Sequence, residues 1–413
     1  MYKFLIVGSN FINKGAQSML FVTVDQLRKR YPDCEIYMLS AFDYAEDQPY
    51  SFQIVFEDED AHRMVNHPVL GAGVIMAKDA VKKILGKPTG YKKKSALAAL
   101  YPEISCVIDI SGFALSSSWE VKASKEYLRR ISEAKRKHIP VILMPQSFGP
   151  FSYGQDQKKM DRMIRENLSY PKAIFAREKE GVDLLQDRYH CKNIFLSPDL
   201  VLCHPTPEIG VICRNAEAVK PTQIPEIPGN TVGVIPNMRT LSGHNKSELL
   251  DFYKKIIETL LGKQKNVALI RHSREDLSFC KEIKTIFAQE DHVQLLTNDF
   301  DCFSYDALVQ KLDFIIGARY HSLVHAFKAG IPCIAIGWAV KYLELFRLFG
   351  DEAFVFDVRK ALDIERMCEA IRLYCTYGKE KKNQILQTVS QLQKCSCFDA
   401  VEQAIKQCEA GNL

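Results

Sequence analysis

The chain has 413 residues, 47% hydrophobic and 25% charged, an ordinary globular composition with room for two domains. Lys plus Arg number 55 against 50 Asp plus Glu, and this net +5 gives no ground for a nucleic-acid partner, while it fits anionic ligands or contact with an acidic membrane face. No apolar run reaches the ~20 residues of a membrane span. Met1-Tyr2-Lys3 enters a strand with no signal-peptide layout and the 13 Cys are scattered without C-x-x-C, so reduced thiols and a cytoplasmic location are expected.

KFLIVG at 3–8 reads as a buried strand, SNFINKG as a turn-rich loop, and Ala16 to Arg30 as an amphipathic helix with Met19, Leu20, Val24 and Leu27 on one side. Strand, polar loop and helix make a Rossmann-like opening, without the G-x-G-x-x-G of a dinucleotide site. A strand follows at 35–39. Residues 57–104 are less regular, with an amphipathic helix at 72–85 beside a basic cluster of Lys87, Lys92, Lys93 and Lys94. That cluster is either a solvated loop or a contact for anionic lipid headgroups, which makes peripheral attachment at the inner face of a membrane an expectation. ISCVIDI at 104–110 is a strand ending in Asp109, followed by the small-residue loop SGFALSSSW. A helix at 121–137, strands at Pro140–Met144, Ile174–Ala176 and Asn193–Leu196, and a helix near 179–188 complete the first half. Arg177 stands at a strand-to-helix junction.

Between 205 and 230, five prolines leave no periodicity, and this stretch reads as the linker. The second half alternates again: strands at 231–235, 266–270 and 292–296, and helices at 247–262, 276–288 and 304–311. Then comes LDFIIGARYHSLVHAFKAGIPCIAIGWAVK, Leu312 to Lys341. It is a β-α-β unit, with Gly330 at the helix C-terminal cap and Pro332 just beyond. Its polar residues Arg319, His321 and Ser322 fall where strand becomes helix. Free backbone N–H groups and the helix dipole favour an anion there, and Arg and His add donors. A helical segment, a strand near Ala353–Phe356, a helix near 363–377 and a last helix over 380–409 follow. The fold class expected is α/β, two Rossmann-like domains facing a cleft, with ligands at the carboxyl ends of the strands. His321 and His325 are four apart with no third ligand nearby, and Cys395 with Cys397 are too close for a zinc pair, so no metal is expected.

The pieces NKGAQSML, VIDISGF, MPQSFGPF, FAREKEGVDLL, SPDLVL, VGVIPNMR and GARYHSLVHAFKAGIPCIAIGWAVK occur in an order that resembles the polysaccharide pyruvyl transferase family, over about residues 3 to 345. The resemblance implies a glycosyltransferase B-like fold, with 1–204 as the acceptor side, 231–380 as the donor side, and 381–413 as a C-terminal helix packing back on either domain. It implies transfer of a pyruvyl group from phosphoenolpyruvate to saccharide hydroxyls, as a ketal, in cell-surface or exopolysaccharide biosynthesis. The acceptor would be lipid-linked or nucleotide-linked, and phosphoenolpyruvate would be co-substrate with no cofactor. The expected catalytic residues are His321, as acid–base catalyst or as phosphate ligand, and Arg319, as anion clamp or as half of an ion pair. Arg177, Arg239, Ser322 and Lys341 join them around phosphoenolpyruvate, with His272 a further possibility. Asn13, Asp109 and Gln146 are placed on the acceptor side. One departure stands out: the family's Gly-rich run with a following acid is here Ser111-Gly112-Phe113-Ala114-Leu115, a bulkier loop that reshapes the acceptor side. Two competing readings remain, a nucleotide-sugar glycosyltransferase with Glu344 reaching the ribose, and a non-catalytic binder.

Overall fold

The computed structural model describes residues 1–214, 222–241, 244–359, 362–394 and 396–410, with the side chains of Arg239, Leu241 and Lys379 outside that set. Strands β1 (Lys3–Val7), β2 (Glu35–Leu39), β3 (Gln53–Val55), β4 (Cys106–Asp109), β5 (Val141–Gln146), β6 (Ala173–Ala176) and β7 (Ile194–Leu196) form one parallel sheet in the order β3-β2-β1-β4-β5-β6-β7. Strands β8 (Thr231–Ile235), β9 (Asn266–Ile270), β10 (Val293–Leu296), β11 (Ile315–Gly317), β12 (Cys333–Gly337) and β13 (Val355–Asp357) form a second, in the order β10-β9-β8-β11-β12-β13. Both are covered by helices on two faces, which is why strands such as TVGVI are apolar throughout and buried at every residue. Each sheet reverses its order once, between β1 and β4 and between β8 and β11. Crevices at such reversals are where open α/β sheets take ligands.

The helix Lys14–Arg30 departs from the amphipathic expectation. It is buried without interruption from Lys14 to Leu27, polar residues included. One side packs on the first sheet, and the other carries the second domain. Gln17 Oε1 accepts from the Cys302 N–H at 3.0 Å, Ser18 Oγ meets His325 Nε2 at 2.9 Å, Lys14 pairs with Asp299 at 2.8 Å, and Phe21 stacks on Phe303.

Three further differences have local causes. The irregular region after 57 is three helices, Glu59–Asn66, Pro68–Ile84 and Tyr91–Leu100. A helix Gln157–Leu168 precedes β6 where the sequence reading has none. The expected last helix is two, Lys381–Leu392 and Asp399–Glu409. Between them Phe398 is fully buried, and its ring meets His204 edge-on at 5.4 Å. The final helix then lies on the first domain, where Arg30 reaches Ser396 and Glu402, and Tyr2 reaches Glu409. The chain thus returns to the first domain beside His204. The helix Tyr320–Lys328 ends as its sequence predicts: Gly330 has φ +76°, and the Gly330 and Ile331 N–H groups bond back to Phe327 and Ala326.

Candidate active site

Both sheet reversals open onto one cavity of about 280 Å³ between the domains. The loops after β1 and β4 bring Asn13 and Phe113, the start of the segment after β6 brings Arg177, and the second domain brings Arg319, His321 and Lys341. Three helices begin on its wall, at Lys14, Tyr320 and Val340. The last two are preceded by Arg319 and Ala339, neither of which makes a side-chain cap. The positive ends of their dipoles are therefore uncompensated by a cap and favour an anion. Gly15 is required by packing: a Cβ there would lie 2.1 Å from His321 Nδ1, so the His321 ring rests on the bare backbone of the first helical turn.

A buried charge relay joins the two domains under this cavity. Arg177 Nη1 donates to Asp199 Oδ2 at 2.6 Å, and its Nη2 donates to the Gly112 carbonyl and to Ser147 Oγ. The guanidinium lies over the Tyr320 ring at 4.7 Å. Asp199 also accepts from the Val201 N–H and sits 3.5 Å from His321 Nε2. Burial pushes the Asp199 carboxyl up, but His321, Arg177 and the Val201 N–H outweigh it and hold the group below the usual carboxylate range. His321 is pushed down to about 3 by burial, which the nearby Asp199 only partly offsets. Both roles expected of it, acid–base catalyst and phosphate ligand, are compatible with this position on the cavity wall.

Lys341 lies on the same cavity wall. Its ammonium sits among four rings, at 4.9 Å from Phe113, 5.3 Å from Tyr320, 4.8 Å from Trp338 and 5.9 Å from Tyr342. The rings stabilise a cation through their faces, but they do not replace water. Burial, reinforced by Arg177, pushes the amine down to about 7. Beside it Glu178, buried and bonded to Ser147 Oγ at 2.6 Å, is pushed up by burial.

Other expected residues take different places. Arg319 lines the cavity, but its Nε and Nη2 donate to Asp276 at 2.9 and 2.6 Å and its Nη2 also to Glu275 at 2.5 Å, so its two-donor fork is already filled. It is half of an ion pair first, with only Nη1 left for a ligand. Ser322 is buried and its hydroxyl donates to the Arg319 carbonyl at 2.6 Å, behind the wall. Asp109 and Gln146 are buried under the loops rather than facing the acceptor. Asp109 accepts from the Ser111 N–H at 2.9 Å, and Gln146 accepts from the Tyr127 hydroxyl at 3.0 Å. Asn13 caps the first helix by accepting from the Gly15 N–H and stays in the cavity wall. The side chain of Arg239 lies outside the described residues. His272 lines the cavity, buried, with burial lowering its pKa well below the usual range. His325 is held by Asp306 and Ser18, and Glu344 accepts from Arg347, which occupies the carboxylate a ribose would need.

Sequence reasoning passed over Asp199, Glu178 and the aromatic set around Lys341. SPDLVL was visible in the sequence without a role for its acid, and Arg177 was assigned to the donor without its neighbour Glu178. A second chamber of about 520 Å³ shares Phe113, Trp119, Trp338 and Lys341 with the first and extends to Glu178 and Arg359. The departing loop builds this partition. Trp119 Nε1 donates to the Phe113 carbonyl at 2.8 Å, and the two rings meet edge to face at 5.5 Å.

A family model described as polysaccharide pyruvyl transferase matches residues 13–339. A search of curated proteins finds no match. Among solved structures, the UDP-GlcNAc 2-epimerase from Methanocaldococcus jannaschii is similar with a TM-score of 0.53 at 11% identity, covering 96% of this chain and 100% of that one. An S. aureus MnaA–UDP co-structure has a TM-score of 0.55 at 10% identity, covering 100% and 98%. Phytolacca americana UGT2, complexed with UDP-2fluoro-glucose and pterostilbene, has a TM-score of 0.53 at 11% identity, covering 100% and 99%. At these identities the likeness concerns the fold, the two-domain glycosyltransferase B-like architecture.

Proposed function

The chain belongs to the polysaccharide pyruvyl transferase family, and from that premise we propose that it moves the three-carbon unit of phosphoenolpyruvate onto two hydroxyls of a saccharide. The products are a pyruvate ketal and phosphate. The acceptor is a lipid-linked or nucleotide-linked intermediate of cell-surface or exopolysaccharide synthesis. The observation that carries this reading is the convergence of Arg177, His321, Lys341 and two uncapped helix starts on one cavity of about 280 Å³. That volume is at the small end of ligand sites and suits a compact, multiply charged donor better than a whole nucleotide sugar.

The two chambers divide the work. The donor's phosphate and carboxylate lie against the positive helix starts at Tyr320 and Val340, with His321 as a hydrogen-bonding partner. The larger chamber takes the saccharide against Phe113, Trp119 and Trp338, whose faces cover the apolar side of a sugar ring. Protonation of the donor at C3 by the Lys341 ammonium leaves C2 electron-poor. One hydroxyl adds to C2, losing its proton to Glu178 at the junction of the chambers, and the second replaces phosphate. Of the two protons lost by the hydroxyls, one ends on C3 and the other on phosphate. Cationic side chains and helix dipoles balance the donor's charge, so the reaction needs no resident metal or cofactor, and chelator-treated protein keeps its activity.

The test is phosphate release from phosphoenolpyruvate that requires a glycan acceptor and is lost in Arg177→Lys and Lys341→Met. A thermal-shift comparison of phosphoenolpyruvate with uridine diphosphate separates this reading from a nucleotide-sugar transferase. Stabilisation by the nucleotide and none by phosphoenolpyruvate overturns it.

A further inference from the structure

The largest apolar feature left uncovered lies far from the cleft, on the helix Pro68–Ile84. Its inner face is set by Gly71, Ile75 and Asp79, all buried. A Cβ at Gly71 would lie 2.8 Å from the Met64 backbone, so the helix lies close against Glu59–Asn66 and has one fixed rotation. Its outer face carries Val69, Leu70, Met76, Val81, Ile84 and Leu85, all exposed, with Val69 at 89% and Ile84 at 85%. These six are more than a third of the exposed large hydrophobics among the described residues, gathered in a single helix and its first following residue. Seventeen residues of helix extend about 25 Å, so the stripe is a continuous strip and not a scatter of single side chains.

Charge accompanies it. Between Pro68 and Ser95 there are seven lysines and one acid, Asp79. Lys78 and Lys94 are held by Asp60, and Lys93 lies over the Phe56 ring at 4.2 Å. Lys83, Lys87 and Lys92 have no carboxylate within ion-pairing distance among the described residues. The one acid is turned inward and used structurally: Asp79 Oδ2 accepts from the Gly90 and Tyr91 N–H groups at 2.9 and 2.7 Å. That clamp folds the Lys87–Tyr91 loop against the end of the helix and sets the free lysines at the border of the apolar strip.

From this geometry we infer that the outer face of Pro68–Ile84 is a docking surface for a bilayer rich in anionic lipid. Apolar side chains enter the headgroup boundary and the lysine rim meets the lipid charge. Charge complementarity selects this occupant. A second copy of the same face would offer Lys83, Lys87 and Lys92 no carboxylate, because Asp79 is the only acid between Pro68 and Ser95 and it is turned inward. Docking through this helix sets the first domain, the one that carries the Phe113–Trp119 wall, on the membrane. This inference stands apart from the donor chemistry, since vesicle binding is measured with neither donor nor acceptor present.

The test uses the full chain and vesicles of phosphatidylcholine with about one-third phosphatidylglycerol, against pure phosphatidylcholine. Sedimentation with the anionic vesicles, weakening as salt is raised, is expected. Reversing Lys83, Lys87 and Lys92 to Glu lowers partitioning at least about tenfold, and Met76→Ser with Ile84→Ser does the same while leaving the thermal midpoint unchanged, because neither set touches the buried face. No binding to anionic vesicles, or binding that the lysine reversals leave intact, overturns the inference. Self-association of the wild type that the Met76/Ile84 substitutions abolish would also overturn it, by assigning the strip to a second copy.

Discussion

Lys341 gives the sharpest test of the site. Its amine is pushed down to about 7 by burial, and no carboxylate bonds it. At about pH 8 it is therefore roughly nine-tenths neutral in the free protein. A phosphate or carboxylate set against it favours the ammonium, so binding draws a proton from solution. Titration calorimetry of phosphoenolpyruvate at about pH 8, in buffers of different ionisation enthalpy, reads that uptake directly. Subtracting the value for Lys341→Met removes the ligand's own protonation and every other group. The expected difference is about 0.9 proton per site, falling toward zero as the pH is lowered well below 7. Lys341→Arg, always charged, restores affinity without restoring uptake. Stability gives an independent reading. The folded value lies below the unfolded 10.5, so the unfolded chain binds more protons between about 7 and 10.5, and stability rises with pH across that window. Lys341→Met flattens the rise. Equal proton uptake in wild type and Lys341→Met would refute the placement of the donor against this amine.

Gly15→Ala sets two effects against each other: helix propensity favours the alanine by about 0.5–1 kcal/mol, but its Cβ would lie 2.1 Å from His321 Nδ1. The clash is expected to win, lowering the thermal midpoint and weakening phosphoenolpyruvate binding about tenfold in a thermal-shift titration, and a more stable variant with unchanged affinity would remove His321 from that contact. Asp199→Asn leaves the Arg177 guanidinium buried without its anion and costs about 3–5 kcal/mol in urea unfolding. His321 and His204 are pushed down by burial to about 3 and about 4, below the unfolded value of 6.5. The folded state therefore binds fewer protons than the unfolded chain, and the urea midpoint drops as pH falls from about 6.5 toward 4. His204→Phe, which keeps the ring against Phe398, makes that drop shallower.

Much of the fold was legible because parallel strands covered on both faces carry uninterrupted apolar runs. EIYML and NVALI match β2 and β9 residue for residue, and KFLIVG overruns β1 by only Gly8. Gly330 marked a helix end for the physical reason that only glycine takes φ +76° without strain. The helix Gln157–Leu168 went unread although Met160, Ile164 and Leu168 recur at four-residue spacing, because charged residues fill the rest. The site was legible in outline only. Arg319 has the position of an anion clamp, but its partners Glu275 and Asp276 lie more than forty residues away, and sequence shows no such pairing. The depressed amine of Lys341 depends on burial between the domains and on Arg177 from the other one. Unbroken burial from Lys14 to Leu27 arises because a second body covers the face its sequence leaves polar. For Lys341 and the first helix, what sequence omits is the far side of an interdomain contact, and for Arg319 it is a partner from a distant loop of the same domain.

The setting of His321 is split between the two domains. The imidazole belongs to the second, while Asp199, Arg177 and Gly15 belong to the first. Neither half alone holds the complete constellation, so the seam between the halves is itself a part of the chemistry.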